Sequence, residues 1–224
     1  MHFLVHPVLL NVIGRLNPAF LQRIDCHNII GYDRPWESRS GSERSANARM
    51  LCVLKADVHG FGNLMHAGAD GPVRKAVADA VQCWAPSDTI SETGGGDSIL
   101  IAEDDPVALA QIARHLMDDV FSTPGQPRLR IALHYGEVQT RERNVDLKLT
   151  IVGGAAILCA ARVEPVAEPG QIWATEEFRE QFLQRPSLWR TTPLKPTSGV
   201  EPFNVKKSGS LEPDLWVRLH RLES

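Results

Sequence analysis

The chain has 224 residues, 43% of them hydrophobic and 23% charged, with a formal net charge of −3 at pH 7. That length suffices for one domain with a short extension and for a sizeable buried core. The composition excludes a disordered, collagenous or fibrous chain, and the mild negative charge argues against a dedicated nucleic-acid or anionic-membrane surface.

Residues 1–16 are apolar but broken by His6, Pro7 and Asn11. The run is too short for a bilayer, which takes roughly 20 apolar residues, and it lacks the basic start and small-residue cleavage site of a signal peptide. An amphipathic packing segment is expected, with no membrane insertion. Residues 31–48 are rich in Ser, Gly and mixed charges and read as a linker. Residues 1–48 are therefore expected to form an N-terminal extension and residues 49–224 the domain. Four cysteines, Cys26, Cys52, Cys83 and Cys159, lie scattered without CxxC or zinc spacing. Buried, reduced thiols are expected, and a cytoplasmic location with them.

The regular pattern starts at residues 51–57, LCVLKAD, a short apolar run that predicts a buried strand. Residues 61–84 carry helical spacing, with Val73, Val77, Val81 and Trp84 on one face and an interruption at Gly68, Gly71 and Pro72. Two short strands around Gly94, Gly95 and Gly96 predict a hairpin. Asp104, Asp105 and Pro106 open a helix whose stripe includes Leu109, Ile112, Ala113 and Leu116. Residues 128–138 alternate like a strand, and the charged residues 141–148 suggest an arm or a solvated loop. A helix is expected over 151–163, a strand over 171–175 and a short helix over 176–183. Two further strands are expected near 189–192 and 214–221. This order predicts a mixed α/β chain with helices laid on one face of a largely antiparallel sheet.

Two acids stand at special points. Asp57 closes the first strand before Val58-His59-Gly60-Phe61-Gly62, and Asp97 follows three glycines at the hairpin tip. Carboxylates on neighbouring strands suit hard divalent cations, and two such ions can activate an attacking oxygen and stabilise a leaving one. Taken singly, Asp57 also suits a helix cap and Asp97 a turn.

Four segments in order resemble the catalytic domain of class III nucleotidyl cyclases. LKADVHGFGNL is similar to the family's first metal motif, Asp-Ile-x-Gly-Phe, and TGGGDSILIAEDDPVALAQIA to its Gly-Asp hairpin and following helix. LRIALHYGEV resembles the Arg-Ile-Gly-Ile-His-x-Gly-Glu-Val strand. TIVGGAAILCAARVEPVAEPGQIWAT resembles the Val-Gly-x-x-Val-Asn-x-Ala-Ala-Arg helix with its Pro-Gly-Gln-Ile strand.

The resemblance implies an α+β sandwich built on the ferredoxin-like βαββαβ palm. It implies two divalent metal ions, Mn²⁺ or Mg²⁺, held by Asp57, Asp97 and the Val58 carbonyl. Backbone amides around Gly60 and Phe61 would cradle phosphate. Arg130 would pair with the triphosphate, Lys207 (or Lys206) would add a phosphate contact, and Arg162 would meet the transition-state charge. The residues also depart from the purine-cyclase pattern. Leu158 stands where the family has a ribose-orienting asparagine, and Thr93 and Thr150 stand at the two base-reading positions. These departures resemble the bacterial pyrimidine cyclases of Pycsar anti-phage defence. The implied reaction converts UTP, or CTP, to a 3′,5′-cyclic monophosphate that activates a separate effector protein. The family shares each site across a homodimer, so Asp57 and Asp97 of one subunit would face Arg162 of the other. Control is then expected from the N-terminal segment, the dimer or another protein. A purine cyclase and a degenerate nucleotide-binding regulatory module remain open. A diguanylate cyclase fits less well, because Ser98-Ile99 breaks its signature after Gly95-Gly96-Asp97.

Overall fold

The computed structural model describes residues 47–85, 89–121, 127–143, 148–186, 188–195, 202–205 and 215–223. The chain begins with β1 (Asn47–Val58), α1 (Phe61–His66) and α2 (Gly71–Trp84), then a hairpin of β2 (Ile90–Gly94) and β3 (Ser98–Glu103). Next come α3 (Pro106–Phe121), β4 (Leu129–Glu142), β5 (Leu149–Gly153) and α4 (Ala155–Val163), closed by a 3₁₀ turn over Glu164–Val166. β6 (Ile172–Thr175), α5 (Glu176–Leu183), β7 (Arg190–Pro193), β8 (Phe203–Asn204), β9 (Trp216–Val217) and β10 (Leu219–Glu223) complete it.

Among the described residues the main sheet has eight strands in the order β2-β3-β1-β4-β6-β10-β7, with β5 paired to β4. β1 is antiparallel to both of its neighbours, and the β4–β6 pair is parallel. This is the expected mixed, mostly antiparallel architecture. β1 is central because its run Leu51–Leu54 is apolar on both faces, which suits a strand covered on both sides.

Pleat alternation sends Leu54, Ala56 and Val58 to one face, where α2, α3 and α5 pack with Val77, Leu109 and Phe178. It sends Leu51 and Val53 to the other, where α4 supplies Ala156 and Ala160. The helices thus cover both faces, not one as expected. The small residues of α4 explain this. A Cβ on Gly136 of β4 would stand 3.3 Å from the Ala156 Cβ, so helix and sheet meet nearly backbone to backbone.

The interrupted helix over 61–84 is found as α1 and α2, with Gly68 at φ 65° between them. The helix expected over 151–163 gives its first three residues to a strand and is helical from Ala155. β5 pairs with β4 before the chain turns at Gly154, whose φ is 130°. A side chain there would overlap the β4 backbone, with a Cβ 2.8 Å from the Val138 Cα. The last expected strand also divides. β9 pairs with β8 in a separate two-stranded sheet, and β10 joins the main sheet between β6 and β7.

α3 starts as its acids predict, with the Val107 N–H donating to Asp105 Oδ1 at 2.9 Å. Burial pushes the Cys52 and Cys159 thiols up to about 12. Cys83 is exposed on α2, contrary to expectation, and Cys26 lies outside the described residues. Among the described residues no helix is long and apolar enough to cross a membrane.

Candidate functional site

The strand register assembles a polar surface at one end of the α4-facing side of the sheet. Gly94, Ser98, Asp57 and Arg130 form one row across β2, β3, β1 and β4. Glu92, Leu100, Lys55 and Ala132 form the next, and Ile90, Ala102, Val53 and His134 the third. Directly opposed residues of antiparallel strands point to the same face. The third row is packed under α4 through Ile90, Ala102 and Val53. The first two rows carry the charges.

Asp57 Oδ2 accepts a hydrogen bond from Arg130 Nη2 at 3.1 Å. Arg130 Nε stands 3.1 Å from Glu164 Oε1 in the turn after α4, and its Nη1 donates to the Pro165 carbonyl at 3.3 Å. Lys55 Nζ donates to Ser98 Oγ. Asp97 is held at the hairpin tip, where Gly95 and Gly96 take φ of 64° and 92°, a region open to glycine at little cost. Arg74 of α2 braces this tip. It donates through Nη1 to the Gly95 carbonyl and through Nε to Asp70 Oδ2 at 2.6 Å. It also lies 4.8 Å over the Phe61 ring. A Cβ on Gly96 would fall 2.8 Å from Arg74 Cγ.

Carboxylate charge accumulates here. Burial holds Asp57 above its usual range; the Arg130 hydrogen bond opposes this and the Asp97 charge adds to it. Glu164 is pushed up to about 7, first by burial and then by Asp57, against Arg130 and Lys55. Partly buried acids that raise one another's proton affinity would gain from a divalent cation between them. Among the described residues no group of three or more His, Cys, Asp or Glu is placed to hold a metal. Asp57 and Asp97 would therefore need a backbone carbonyl, water and ligand oxygens beside them. That is how Mg²⁺ usually binds, through one or two carboxylates plus substrate phosphates. The oxygen-only donor set fits such an ion.

Val58 follows Asp57 directly, and its side chain is buried. Gly60, at φ 80°, opens α1. The Phe61 side chain is buried at 3% exposure, so the expected substrate contact at this position is confined to its backbone N–H. Arg162 sits one helical turn after Leu158, which is 48% exposed, on the outer part of α4. Thr150 Oγ1 donates to Glu92 Oε1 at 2.6 Å, and the Ile151 N–H donates to the same oxygen at 2.9 Å. Thr93 does not join them. It opposes Ile99, a core residue of the other face, so Thr93 lies on the far side of the sheet. Counting back from Asp97 misplaces it because Gly95, Gly96 and Asp97 are all spent on the turn. Glu92 occupies the site face instead. Lys206 and Lys207 lie outside the described residues, as do positions 144–147 of the charged stretch.

Sequence reasoning missed Lys55, Arg74, Glu92 and Glu164. Pleat parity gives Lys55, two residues before Asp57 on the same strand. It gives Glu92 once the turn is known. No local signal marks Arg74 or Glu164. His134 Nδ1 is hydrogen-bonded to Thr175 Oγ1 at 2.8 Å.

No family model matches the chain. An adenylate cyclase of Streptomyces coelicolor is 25% identical over 152 residues, or 65% of this chain and 38% of that relative's length. Among solved structures, the adenylyl cyclase CyaB from P. aeruginosa superposes with a TM-score of 0.60 at 12% identity, covering 81% of this chain and 97% of that one. The guanylate cyclase domain of RhGC from Catenaria anguillulae, solved with GTP, gives 0.56 at 16% identity, covering 80% and 99%. A non-canonical dimeric guanylyl cyclase domain from Blastocladiella emersonii gives 0.56 at 14%, covering 79% and 98%. The chain has the fold of the class III nucleotidyl cyclase catalytic domain.

Proposed function

We propose that this chain is a nucleotide cyclase that converts UTP to 3′,5′-cyclic UMP and pyrophosphate. The observation that carries this reading is the pairing of Asp57 and Arg130 on one sheet face, within reach of the Asp97 charge at the adjoining hairpin tip, with the Glu92–Thr150 pair on the same face. In the reaction the ribose 3′-oxygen bonds to the α-phosphorus and its proton passes to solvent. The bond from that phosphorus to the oxygen bridging to the β-phosphate breaks, and pyrophosphate leaves with the electron pair. Asp57, Asp97 and the Val58 carbonyl would hold two Mn²⁺ or Mg²⁺ ions, which when bound supply charge stabilisation at both oxygens. Arg130 would exchange Asp57 for the triphosphate, joined by backbone N–H groups at Gly60 and Phe61 and by Lys207. Arg162 would come from the partner of a homodimer to meet charge at the α-phosphate, as a fork of fixed donors can. Exposed Leu149 and Val152 on β5 and Leu158 on α4 give such a partner apolar surface to cover.

The base assignment rests on Glu92. Its carboxylate accepts from Thr150 and Ile151 and has a second oxygen for a base N–H. Uracil N3–H fits that acceptor, and the Thr150 hydroxyl can turn its proton from Glu92 to a uracil carbonyl oxygen. Guanine also offers N–H donors on that edge, so the same observation favours GTP as the second reading. Cytosolic production of a messenger for a separate anti-phage effector completes the proposal. The purified protein is incubated with Mn²⁺ and each of the four nucleoside triphosphates, and the products are weighed by mass spectrometry. Cyclic UMP is expected. Cyclic GMP alone would replace uracil by guanine. Triphosphate bound and released unchanged in every case would make the protein a binding module.

A further inference from the structure

We propose that Lys55 is a further catalytic residue of this site, its ammonium binding the α-phosphate of the nucleotide between the two acids. This rests on the cyclase reading above. Lys55 occupies the central strand, one pleat from Asp57 and on the same face. Its Nζ donates to Ser98 Oγ, and Ser98 is both the residue after Asp97 and the register partner of Asp57. The ammonium is thereby drawn toward the row that contains Asp57 and Arg130 and toward the hairpin tip that carries Asp97. The anchor is a neutral hydroxyl, and an ammonium has three donors, so N–H groups remain for a ligand oxygen. Its charge acts on Asp57 and on Glu164, which places it electrostatically inside the cluster.

The position is costly for a merely structural residue. Lys55 opposes Leu100 on β3 and Ala132 on β4, where an apolar side chain would pack at least as well. A lysine half-buried among such neighbours gives up side-chain freedom and hydration. A phosphate would repay this. When the 3′-oxygen attacks and the bond to pyrophosphate lengthens, negative charge grows on the non-bridging α-phosphate oxygens. A fixed cation at that point acts mainly in the transition state. Arg130 and Arg162 are planar forks suited to two oxygens at once; Lys55 adds a compact point charge on a stem that can follow the phosphorus as it inverts.

The test compares wild type with Lys55→Met and Lys55→Arg, the first matching the stem without the charge and the second restoring charge. Three quantities are measured: turnover of UTP, binding of 3′-deoxy-UTP with Mn²⁺ (an analogue that cannot cyclise), and binding of Mn²⁺ alone by electron paramagnetic resonance. Lys55→Met is expected to lower kcat about 100-fold and to weaken the analogue about tenfold. Mn²⁺ binding should be no weaker than in wild type, since a neighbouring cation has been removed. Lys55→Arg should recover a large part of both losses. Near-normal kcat and analogue affinity in Lys55→Met would overturn the proposal. So would equal losses in both variants accompanied by a lowered melting temperature or lost Mn²⁺ binding, which would make the lysine structural. If wild type turns over no triphosphate, the cyclase reading fails by itself. The analogue arm still decides whether Lys55 touches phosphate, and unchanged affinity would overturn that contact.

Discussion

Glu164 sits where three demands meet: it is buried, it pairs with Arg130, and it shares the neighbourhood with Asp57. Burial raises its carboxyl from 4.5 to about 7. An acid whose folded value is raised binds its proton more tightly in the native state than in the unfolded chain. Its stabilising share is therefore complete below 4.5 and is lost as pH climbs through about 7. In metal-free protein the melting temperature should fall across that window, and Glu164→Gln should flatten the fall. Thermal melts at intervals from about pH 4 to 8 check this; an unchanged slope in the variant would move the titration elsewhere. Glu92 carries a second expectation. Glu92→Gln removes the charge and presents an amide donor beside Thr150, which suits cytosine N3 better than uracil N3–H. The ratio of kcat/KM for UTP over CTP should drop by roughly tenfold or more, and an unaltered ratio would take Glu92 out of base reading. Asp57 and Arg130 were legible from sequence because each lies inside an ordered motif. Glu92 was not, because one added turn residue changes which neighbour faces the site, and spacing counts cannot see a turn. Glu164 reaches Arg130 only through the crossing of α4 over the sheet, a tertiary relation.

At the scale of elements, two glycines hold the site by what they exclude. Gly154 lets α4 leave β5 directly over β4, and Gly96 leaves room for Arg74. Gly154→Ala combines a disfavoured φ with overlap on the β4 backbone and should cost roughly 2–4 kcal/mol by chemical denaturation. Gly96→Ala also meets a disfavoured φ, but what it displaces is the Arg74 side chain and not backbone, so it should cost less, roughly 1–2 kcal/mol. It should still lower turnover, because the freed Arg74 no longer braces the loop bearing Asp97. Equal stability losses in the two variants would contradict this division. The strands and helices carrying the motifs were legible from periodicity: β1, α2, α3 and α5 stand where the apolar spacing puts them. β5 was not, because Ile151, Val152 and the glycines before an alanine run fit a buried strand and a helix start alike. Only pairing with β4 decides between them.

The whole molecule poses the question of the shared site. If Asp57 and Arg162 act across a two-fold interface, each inactive variant holds what the other lacks. Mixing Asp57→Ala with Arg162→Ala, after dissociation and reassociation, should restore about a quarter of wild-type activity: half the dimers are mixed, and each has one intact site of two. No recovery would place both residues within one subunit's site. Thiol chemistry gives an independent check on the core. Cys83 should react with a thiol reagent under native conditions, while Cys52 and Cys159, raised to about 12 and buried, should react only on unfolding. The class of the fold was legible because four motifs keep their order along the chain. The coverage of both faces was not, since an alanine-rich helix over a glycine-bearing strand carries little hydrophobic signal of its own.

The alternating rows across β2, β3, β1 and β4 have a consequence for how such a chain can change over evolutionary time. Asp57, Lys55, Ser98, Arg130 and Glu92 share a face only because the residues between them, Ala56, Ile99, Ile131 and Thr93, face the other way. Deleting one residue from β1 upstream of Lys55, with the pairing otherwise kept, would send a lysine and an aspartate into the layer packed against α2 and α3 and bring apolar residues out to the site. Strand-length variation among descendants that keep this chemistry should therefore come in steps of two, or be confined to the turns, while point substitutions on the polar face remain free to retune the base and the metal.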